Sequence, residues 1–454
     1  MLKEKQIVRD ERIEGEIFKV RVETTHDTAQ YGTVRACTAV HSQQFARRIG
    51  GVRFVTGPPP EDRVELGELA SAMTWKCALA GLPADGEKTV VYCSDVQKEE
   101  ELPAPQDAGA ILAEHLAVLT AADSGVVFGP DMHCGEDVMT LLAHEHGYGD
   151  HVSGLKEREG GLSIDGHGYT ASGLESALVT TANKLGWKLA GMRASIQGFG
   201  AVGAHTARNL SGHGVIIVAV SSAWGALVAT GPEGLPIEQL FETWHTENDE
   251  AFQRYETSQP RGSRWVSREA VFTEPAEIFI PAARVDVLAT DKELERLPAA
   301  FDIARFAEAT GVKVVLEGAN HPLTVDAEQY LAGRGVYVLP DYLVNCGGLI
   351  GCWMDWLYRE KLEGEQSTAT FSRLNEGALH LIRDVVRQNM GAAFDTMEQG
   401  SYRLREAVKR LSHSRRAELL GRVSELAADP TKGRSPRSLE LELFETILER
   451  ASGR

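Results

Sequence analysis

From Met192 to Val220 the chain reads as an apolar run, a hexapeptide holding three glycines, a helical stretch and a second apolar run: MRASIQ, GFGAVG, AHTARNLSGHG, VIIVAV. That order predicts a strand, a tight turn, a crossover helix and a parallel strand. The glycines have separate duties in such a turn. Gly198 makes the sharp bend, Gly200 lets the backbone approach a pyrophosphate, and Gly203 lets helix and strand pack closely. The helix that opens here offers unpaired amides and the positive end of its dipole to phosphate. A GxGxxG alone is a weak signal in a chain with 45 glycines. Flanked by two strands and a helix, it marks a dinucleotide site. Gly198, Phe199, Gly200, Ala201, Val202 and Gly203 are therefore candidate cofactor-binding residues.

The second strand of such a unit commonly ends in an acid that binds the ribose 2′-hydroxyl. Here it ends Val220-Ser221-Ser222. Ser222 would not repel a 2′-phosphate and has a proton to donate to one, yet no arginine follows closely to clamp it. The cofactor is NAD or NADP, with the choice open. EIFIPA, VKVVLEGA and VYVLP are further strand-like pieces that alternate with helical or loop segments. The fold class is α/β, with a parallel sheet and crossover helices.

At 454 residues the chain exceeds the roughly 250–300 that one hydrophobic core serves, so two domains are expected. Hydrophobic residues at 43% and charged residues at 25% fit an ordinary globular protein. No apolar run approaches the roughly 20 residues that span a bilayer. The opening MLKEKQIVRDERIEGE lacks a signal-peptide core. A cytoplasmic protein without membrane association is the expectation. A net charge of −18 argues against a nucleic-acid partner, which needs a basic face. Cysteines at 37, 77, 93, 134, 346 and 352 show no CxxC and no metal-ligand spacing, so reduced thiols and no metal are expected. Upstream, IFKVRVET and Thr89–Cys93 read as strands, and helices are predicted around 63–81, at 111–121 and at 137–147. A glycine-rich stretch from 151 suits a domain junction, followed by a helix at 174–186. Past Pro340 the chain reads as helical, with one long stretch from 368 to 412, and its arginine-rich run RLREAVKRLSHSRRAELLGR reads as a solvated helix face.

An ordered set of motifs accompanies the glycine turn. Ile49-Gly50-Gly51-Val52-Arg53, Met73-Thr74-Trp75-Lys76, Gly86-Glu87-Lys88-Thr89-Val90 and Gly129-Pro130-Asp131 precede it; FIPAA (279–283), EGAN (317–320) and Asn345-Cys346-Gly347-Gly348 follow. In these residues, over roughly 30–405, the chain resembles the glutamate/leucine/phenylalanine/valine dehydrogenase family. The resemblance implies an N-terminal α/β substrate and oligomerisation domain (1–150) and a Rossmann-type dinucleotide-binding domain (151–345). It also implies C-terminal helices packing back on the N-terminal domain (346–412), which leaves 413–454 as an extra extension. A homo-oligomer is implied as well. By resemblance, Lys76 binds the substrate α-carboxylate with Gly50 and Gly51, Lys88 twelve residues on is the catalytic base, and Asp131 exchanges protons with the amino group. Asn345 would lie near the nicotinamide and the substrate amine, and Thr170, Ala282 and Asn320 belong to the matching cofactor motifs.

The chemistry is sensible apart from the family. Oxidative deamination removes hydride from Cα and then adds water to an iminium carbon. The base must be neutral near working pH, which for a lysine requires burial or a nearby cation. Lys76 is one candidate for that cation.

Several positions depart from the family pattern. Asp85 and Glu87 flank the turn into Lys88, and acids beside a lysine oppose its deprotonation. His133 and Cys134 replace small residues after Asp131, and Thr170-Ala171-Ser172-Gly173 stands where TGRG is common. Glutamate-specific members carry a lysine before the glycine pair and a serine after NxGG; here Ile49 and Cys352 stand there. A substrate carboxylate left without partners costs several kcal/mol. Lys88-Thr89-Val90-Val91 also looks more like leucine-type members. The expected reaction is reversible NAD(P)-dependent deamination of an apolar or aromatic L-amino acid to the 2-oxo acid and ammonia. The alternatives are a glutamate dehydrogenase or a catalytically degenerate regulator that binds nucleotide or amino acid.

Overall fold

In the computed structural model of the chain, the described residues are 2–6, 9–13, 16–60, 64–122, 125–247, 249–364, 368–400 and 403–427. They divide into two compact units, one from Met1–Ile164, Leu349–Ala378 and Ser412–Arg454, the other from Asp165–Gly348 and Leu379–Leu411. Most of the proposed extension, 428–454, lies outside the described residues.

The first unit is built on β1 (Leu2–Gln6), β2 (Arg9–Ile13), β3 (Glu16–Thr28), β4 (Gly32–Val40), β5 (Arg47–Thr56), β6 (Ala84–Cys93) and β7 (Val126–Pro130), with helices α1 (Val64–Ala80), α2 (Pro105–Ala122) and α3 (Glu136–His144). The sheet runs β1-β3-β4-β6-β5-β7, with β2 paired to β3. β4 meets β6 antiparallel, while β5 is parallel to both β6 and β7. Both sheet faces are covered. Val52, Phe54, Val91 and Phe128 point into a core with Ile111, Leu112 and Leu116 of α2 and Met139 and Leu142 of α3. On the opposite face Cys37, Ala39, Val90 and Tyr92 meet Leu66 and Ala70 of α1. This two-sided burial explains why β6 is buried along its whole length, charged residues included. Gly86 is the contact point of α1, because a β-carbon there would lie 2.2 Å from the Ala70 carbonyl oxygen and the Thr74 nitrogen.

The second unit holds α4 (Tyr169–Leu185), β8 (Arg193–Gln197), α5 (Ala201–Gly212), β9 (Ile216–Ser221), β10 (Ala226–Ala229), α6 (Ile237–Glu247), β11 (Ser263–Val266) and β12 (Ile278–Pro281). There follow the short pair β13 (Leu288–Ala289) and β14 (Phe301–Asp302), with α7 (Asp291–Leu294) between them. The chain goes on through α8 (Ile303–Thr310), β15 (Val314–Leu316), α9 (Val325–Ala332), β16 (Tyr337–Leu339) and α10 (Asp341–Val344). Its sheet is ordered β11-β10-β9-β8-β12-β15-β16. Strands β9, β8, β12, β15 and β16 are parallel, as the alternating pattern predicts, and an antiparallel hairpin, β10 and β11, forms the edge beyond β9. Strand order reverses between β8 and β12, which leaves a crevice at their carboxyl ends.

The helices after Pro340 differ from the expected block. They are α11 (Gly347–Gly364), α12 (Thr368–Gly400) and α13 (Leu404–Ala427), so the stretch from 368 to 412 is two helices rather than one. Residues 379–411 group with the dinucleotide-type unit, not with the N-terminal one. The reason is specific pairing: Ser176 donates to the Arg383 carbonyl at 2.7 Å, Lys184 pairs with Asp395 at 2.7 Å, and the Tyr337 and Phe394 rings sit 5.9 Å apart. The arginine-rich run is likewise not simply a solvated face. Arg405 reaches Glu317, Glu328 and Asp341 within the second unit, and Arg416 is buried in the first.

Candidate active site

Lys88 lies in the middle of β6 and is 3% exposed. Its ammonium donates to Asp131 Oδ2, which also accepts from Arg53 Nε at 3.3 Å and Nη2 at 3.2 Å. Asp131 is pinned from its own side as well. It follows β7 in a tight turn closed by reciprocal backbone bonds with Cys134 at 3.0 Å, and its Oδ1 accepts from the Met132 amide at 2.8 Å. Gly51 lies beside this cluster: a β-carbon there would fall 3.0 Å from Lys88 Nζ and 2.9 Å from Asp131 Cβ. Gly50 serves a different contact, since its β-carbon would collide with the Glu87 carbonyl oxygen at 1.9 Å. The glycine pair is thus a steric requirement of the lysine–aspartate site and of the β5–β6 approach.

The acids near Lys88 in sequence do not face it. Successive strand residues point to opposite faces, so Asp85 and Glu87 lie across the sheet from Gly86 and Lys88. Asp85 is fully buried, bonded to Arg416 of α13 and accepting from the Phe45 amide at 2.8 Å. His133 takes φ 56° at the tip of the turn after Asp131 and stands 3.6 Å from Glu99. Cys134 is buried in the core with α2 and α3, where burial pushes its thiol well above the usual range. Both bulkier residues therefore leave the carboxylate of Asp131 uncrowded. All six cysteines are unbridged and buried.

Lys76 is buried on α1, the helix that packs over the Gly86–Lys88 face of β6. Ile49 is 1% exposed and shares a face of β5 with Gly51 and Arg53. Cys352, buried on α11, approaches β7: its sulfur would lie 3.4 Å from a β-carbon at Gly129, with Ser153 Oγ at 3.6 Å. Lys76, Lys88, Asp131, Ile49, Gly50, Gly51 and Cys352 thus all belong to the first unit.

The cofactor candidates belong to the second. Gly198 has φ 96° and would meet the Ala283 methyl at 2.7 Å through a β-carbon; one on Gly203 would meet the Gly198 carbonyl oxygen at 1.9 Å. The turn is therefore a glycine cradle that side chains would fill. It opens into α5 with Gly200 as the N-cap, and no side chain caps the helix. Amides in the first turn of a helix lack intrahelical partners, so such a cradle suits pyrophosphate. Ala282 follows β12 across the crevice and donates to the Gln197 carbonyl at 2.8 Å. Asn345 donates to Asn320 Oδ1 at 3.1 Å and to the Gly318 carbonyl at 3.2 Å, joining two of the expected motifs. Thr170 lies in the first turn of α4, its hydroxyl 3.0 Å from where Gly348 would carry a β-carbon. At the end of β9 Ser221 accepts from the Gly198 amide at 3.2 Å, while Ser222 accepts from Trp224 at 3.3 Å within the hairpin turn. Phe199 is buried against Phe252 rather than open to a ligand, so within the glycine motif its side chain is structural.

Three features had no sequence signal. Arg53 stands in the sequence only as the end of a motif, although its guanidinium binds Asp131. Trp224 is exposed beside Ser222. A cavity of about 470 Å³ beside α5 is lined by His167, His205, Arg208, Phe241 and His245, none of them singled out from the sequence. Burial and the neighbouring cations push His205 down to about 4.

A Rossmann-type sheet with a glycine cradle, and a separate α/β unit presenting a buried lysine–aspartate pair, define a dehydrogenase of the amino-acid type. The comparisons agree. The Glutamate/Leucine/Phenylalanine/Valine dehydrogenase model matches residues 160–418, and the Glu/Leu/Phe/Val dehydrogenase dimerisation domain matches residues 15–148. The chain belongs to this family and is an amino-acid dehydrogenase, an oxidoreductase acting on CH–NH2 groups. It is 30% identical over 357 residues to glutamate dehydrogenase A2 of Halobacterium salinarum, covering 77% of this chain and 75% of that one. It is 28% identical over 352 residues to a glutamate dehydrogenase of Aeropyrum pernix, covering 75% and 76%. Among solved structures, the hetero-hexameric glutamate dehydrogenase of Thermus thermophilus in its leucine-bound form superposes with a TM-score of 0.67 at 23% identity, covering 92% of this chain and 89% of that one.

Proposed function

We propose that the protein catalyses reversible NAD(P)-dependent oxidative deamination of an L-amino acid with an apolar or aromatic side chain. The observation that carries this reading is the buried Lys88–Asp131 pair against Gly51, with Ile49 and Cys352 at the two positions where glutamate-specific members hold polar side chains. Lys76 and the amides of Gly50 and Gly51 hold the substrate α-carboxylate. Asp131 takes up the proton that the substrate ammonium must lose before hydride can leave Cα. When bound, the nicotinamide would supply the hydride acceptor; the Gly198–Gly203 cradle would hold its dinucleotide, with Thr170, Ala282, Asn320 and Asn345 as the further residues toward it. Neutral Lys88 then takes a proton from the water that attacks the iminium carbon, and ammonia departs to leave the 2-oxo acid. NAD and NADP both fit a strand that ends in Ser222. A homo-oligomer assembled through the first unit accords with the matched dimerisation domain.

The names of the relatives favour glutamate as the second reading. Turnover of an amino-acid panel, followed by nicotinamide absorbance, separates the two. Leucine, phenylalanine or valine should exceed glutamate in kcat/KM, and a glutamate preference would reassign the substrate. Replacing Lys88 by alanine should lower kcat by roughly 10²–10⁴-fold while leaving cofactor binding intact. An inactive wild type that binds amino acid or dinucleotide would instead support a regulator.

A further inference from the structure

Arg53 has no role in the reaction as set out above, yet it is a buried guanidinium on a catalytic carboxylate. It is 5% exposed, sits two residues after Gly51 on the same face of β5, and directs both Nε and Nη2 at the Asp131 oxygen that Lys88 also uses. A lone lysine–aspartate pair would hold its proton firmly, because each charge stabilises the other. That arrangement is poor for a lysine that must act uncharged.

We propose that Arg53 is a positioning residue that sets the protonation of the Lys88–Asp131 pair. Its permanent positive charge offsets that of Asp131 from the other side, so in the free enzyme Asp131 is ionised, ready to accept the substrate's proton, and Lys88 is held less tightly as an ammonium. The fork geometry, with two N–H groups on one oxygen, also fixes the carboxylate beside Gly51. The groups around Lys88 are consistent with this. β4 faces it with the uncharged Ala39. α1 contributes the cation Lys76, the turn after β7 contributes Asp131, and the buried thiol of Cys134 lies in its field. Asp85 and Glu87 are across the sheet, and Asp85 is matched by Arg416. Arg53, like Lys88 itself, is in direct contact with Asp131 Oδ2.

The proposal rests on the deaminase reading, so its test needs one arm that does not require turnover. In the full-length enzyme, Arg53→Gln removes the charge and Arg53→Lys keeps it while losing the fork. The acidic limb of kcat/KM should move up by about one pH unit or more in Arg53→Gln, the scale expected for a charge within a few ångströms. In Arg53→Lys the limb should stay near its wild-type position while kcat falls roughly tenfold. The second arm is competitive labelling with acetic anhydride, read at Lys88 by peptide mass spectrometry with exposed Lys184 as internal standard. At fixed pH, Lys88 labelling should drop several-fold in Arg53→Gln and be retained in Arg53→Lys. A labelling drop in a protein that turns over no amino acid would sink the deaminase reading and leave the role of Arg53 standing. Unchanged Lys88 labelling in folded Arg53→Gln would overturn the proposal, whatever the activity. If Arg53→Gln does not fold, Arg53→Lys decides: loss of Lys88 labelling there overturns the proposal, and retained labelling with a lowered kcat supports it.

Discussion

At the scale of single residues, the site is defined as much by missing side chains as by charged ones. Gly51 is the sharpest case, with Lys88 Nζ and Asp131 Cβ at 3.0 and 2.9 Å from the place a methyl group would take. Gly51→Ala should therefore push the pair apart without disturbing the cores on either face of the sheet. A misplacement of about 1 Å at a reacting group can cost about 10²-fold. The expected outcome is a fall of that order in kcat/KM, with stability lowered only by the roughly 1–3 kcal/mol of overpacking. Steady-state kinetics beside thermal unfolding checks it, and full activity in Gly51→Ala would show that the close approach is incidental. Ser222 makes the complementary case in the second unit. Its hydroxyl is held in the turn by the Trp224 amide, and no carboxylate ends β9. Placing one there with Ser222→Asp should repel a 2′-phosphate and offer an acceptor to a 2′-hydroxyl. The ratio of kcat/KM for NAD over NADP should rise by about tenfold or more, and an unmoved ratio would place the 2′-position elsewhere.

At the scale of elements, the polar interior of the first unit makes a prediction about acid stability. Thr24 and Thr38 hold the two ring nitrogens of His115 at 2.7 and 2.8 Å, Thr38 joins Thr89 at 2.6 Å, and Thr24 joins His26 at 2.9 Å. A neutral imidazole satisfies this chain because one nitrogen donates and the other accepts. Burial pushes His115 down to about 3, and it lowers His26 as well. The unfolded chain takes up these protons near pH 6.5 while the folded chain refuses them. Stability is thus fully present above about 6.5 and is lost as pH falls toward 3, at about 1.4 kcal/mol per unit for His115. Chemical denaturation at stepped pH should show that slope, and His115→Gln should flatten it by about that amount; a slope indifferent to the substitution would mean that other groups set acid stability. None of this network was legible in the sequence, because β3, β4, β6 and α2 meet only in the fold. What was legible is local. The strand–glycine–helix–strand run, α1, α4 and the Thr89–Cys93 half of β6 follow from periodicity and turn chemistry within a short window, whereas the half from Ala84 to Lys88, with its glycine and charged residues, does not. Arg53, Arg405 and Arg416 escaped for the same reason as His115. Each arginine finds its acid 64 or more residues away, and an arginine looks the same in sequence whether its partner is water or a buried carboxylate.

At the scale of the whole molecule, the C-terminal segment is not an appendage where it is described. A chain that ends near residue 411 would keep every motif, and by sequence it loses only an extension. In the structure it loses the partner of a buried charge. Arg416 donates to Asp85, to Gln44 at 3.0 Å and to Ser42 at 2.9 Å, and it stacks over Phe45 at 5.1 Å; three residues earlier His413 lies against Trp75 at 4.3 Å. Asp85 is the second residue of the strand that carries Lys88, so this pairing ties the Arg416 stretch of α13 to that strand within one unit. Removing one member of a buried ion pair costs about 3–5 kcal/mol, a large share of the roughly 5–15 kcal/mol that holds a protein folded. Truncation after 411 should therefore lower the melting temperature sharply against a chain ending at 427, and full-length Arg416→Met should reproduce most of that loss. The charge account has a stricter consequence. Adding Asp85→Asn to Arg416→Met removes the stranded charge, so the double variant should be more stable than Arg416→Met alone, even though it carries one more substitution. If thermal unfolding instead finds the double variant no better, the helix contributes through the His413–Trp75 and Phe45 contacts, and Asp85 is not the reason the segment is needed.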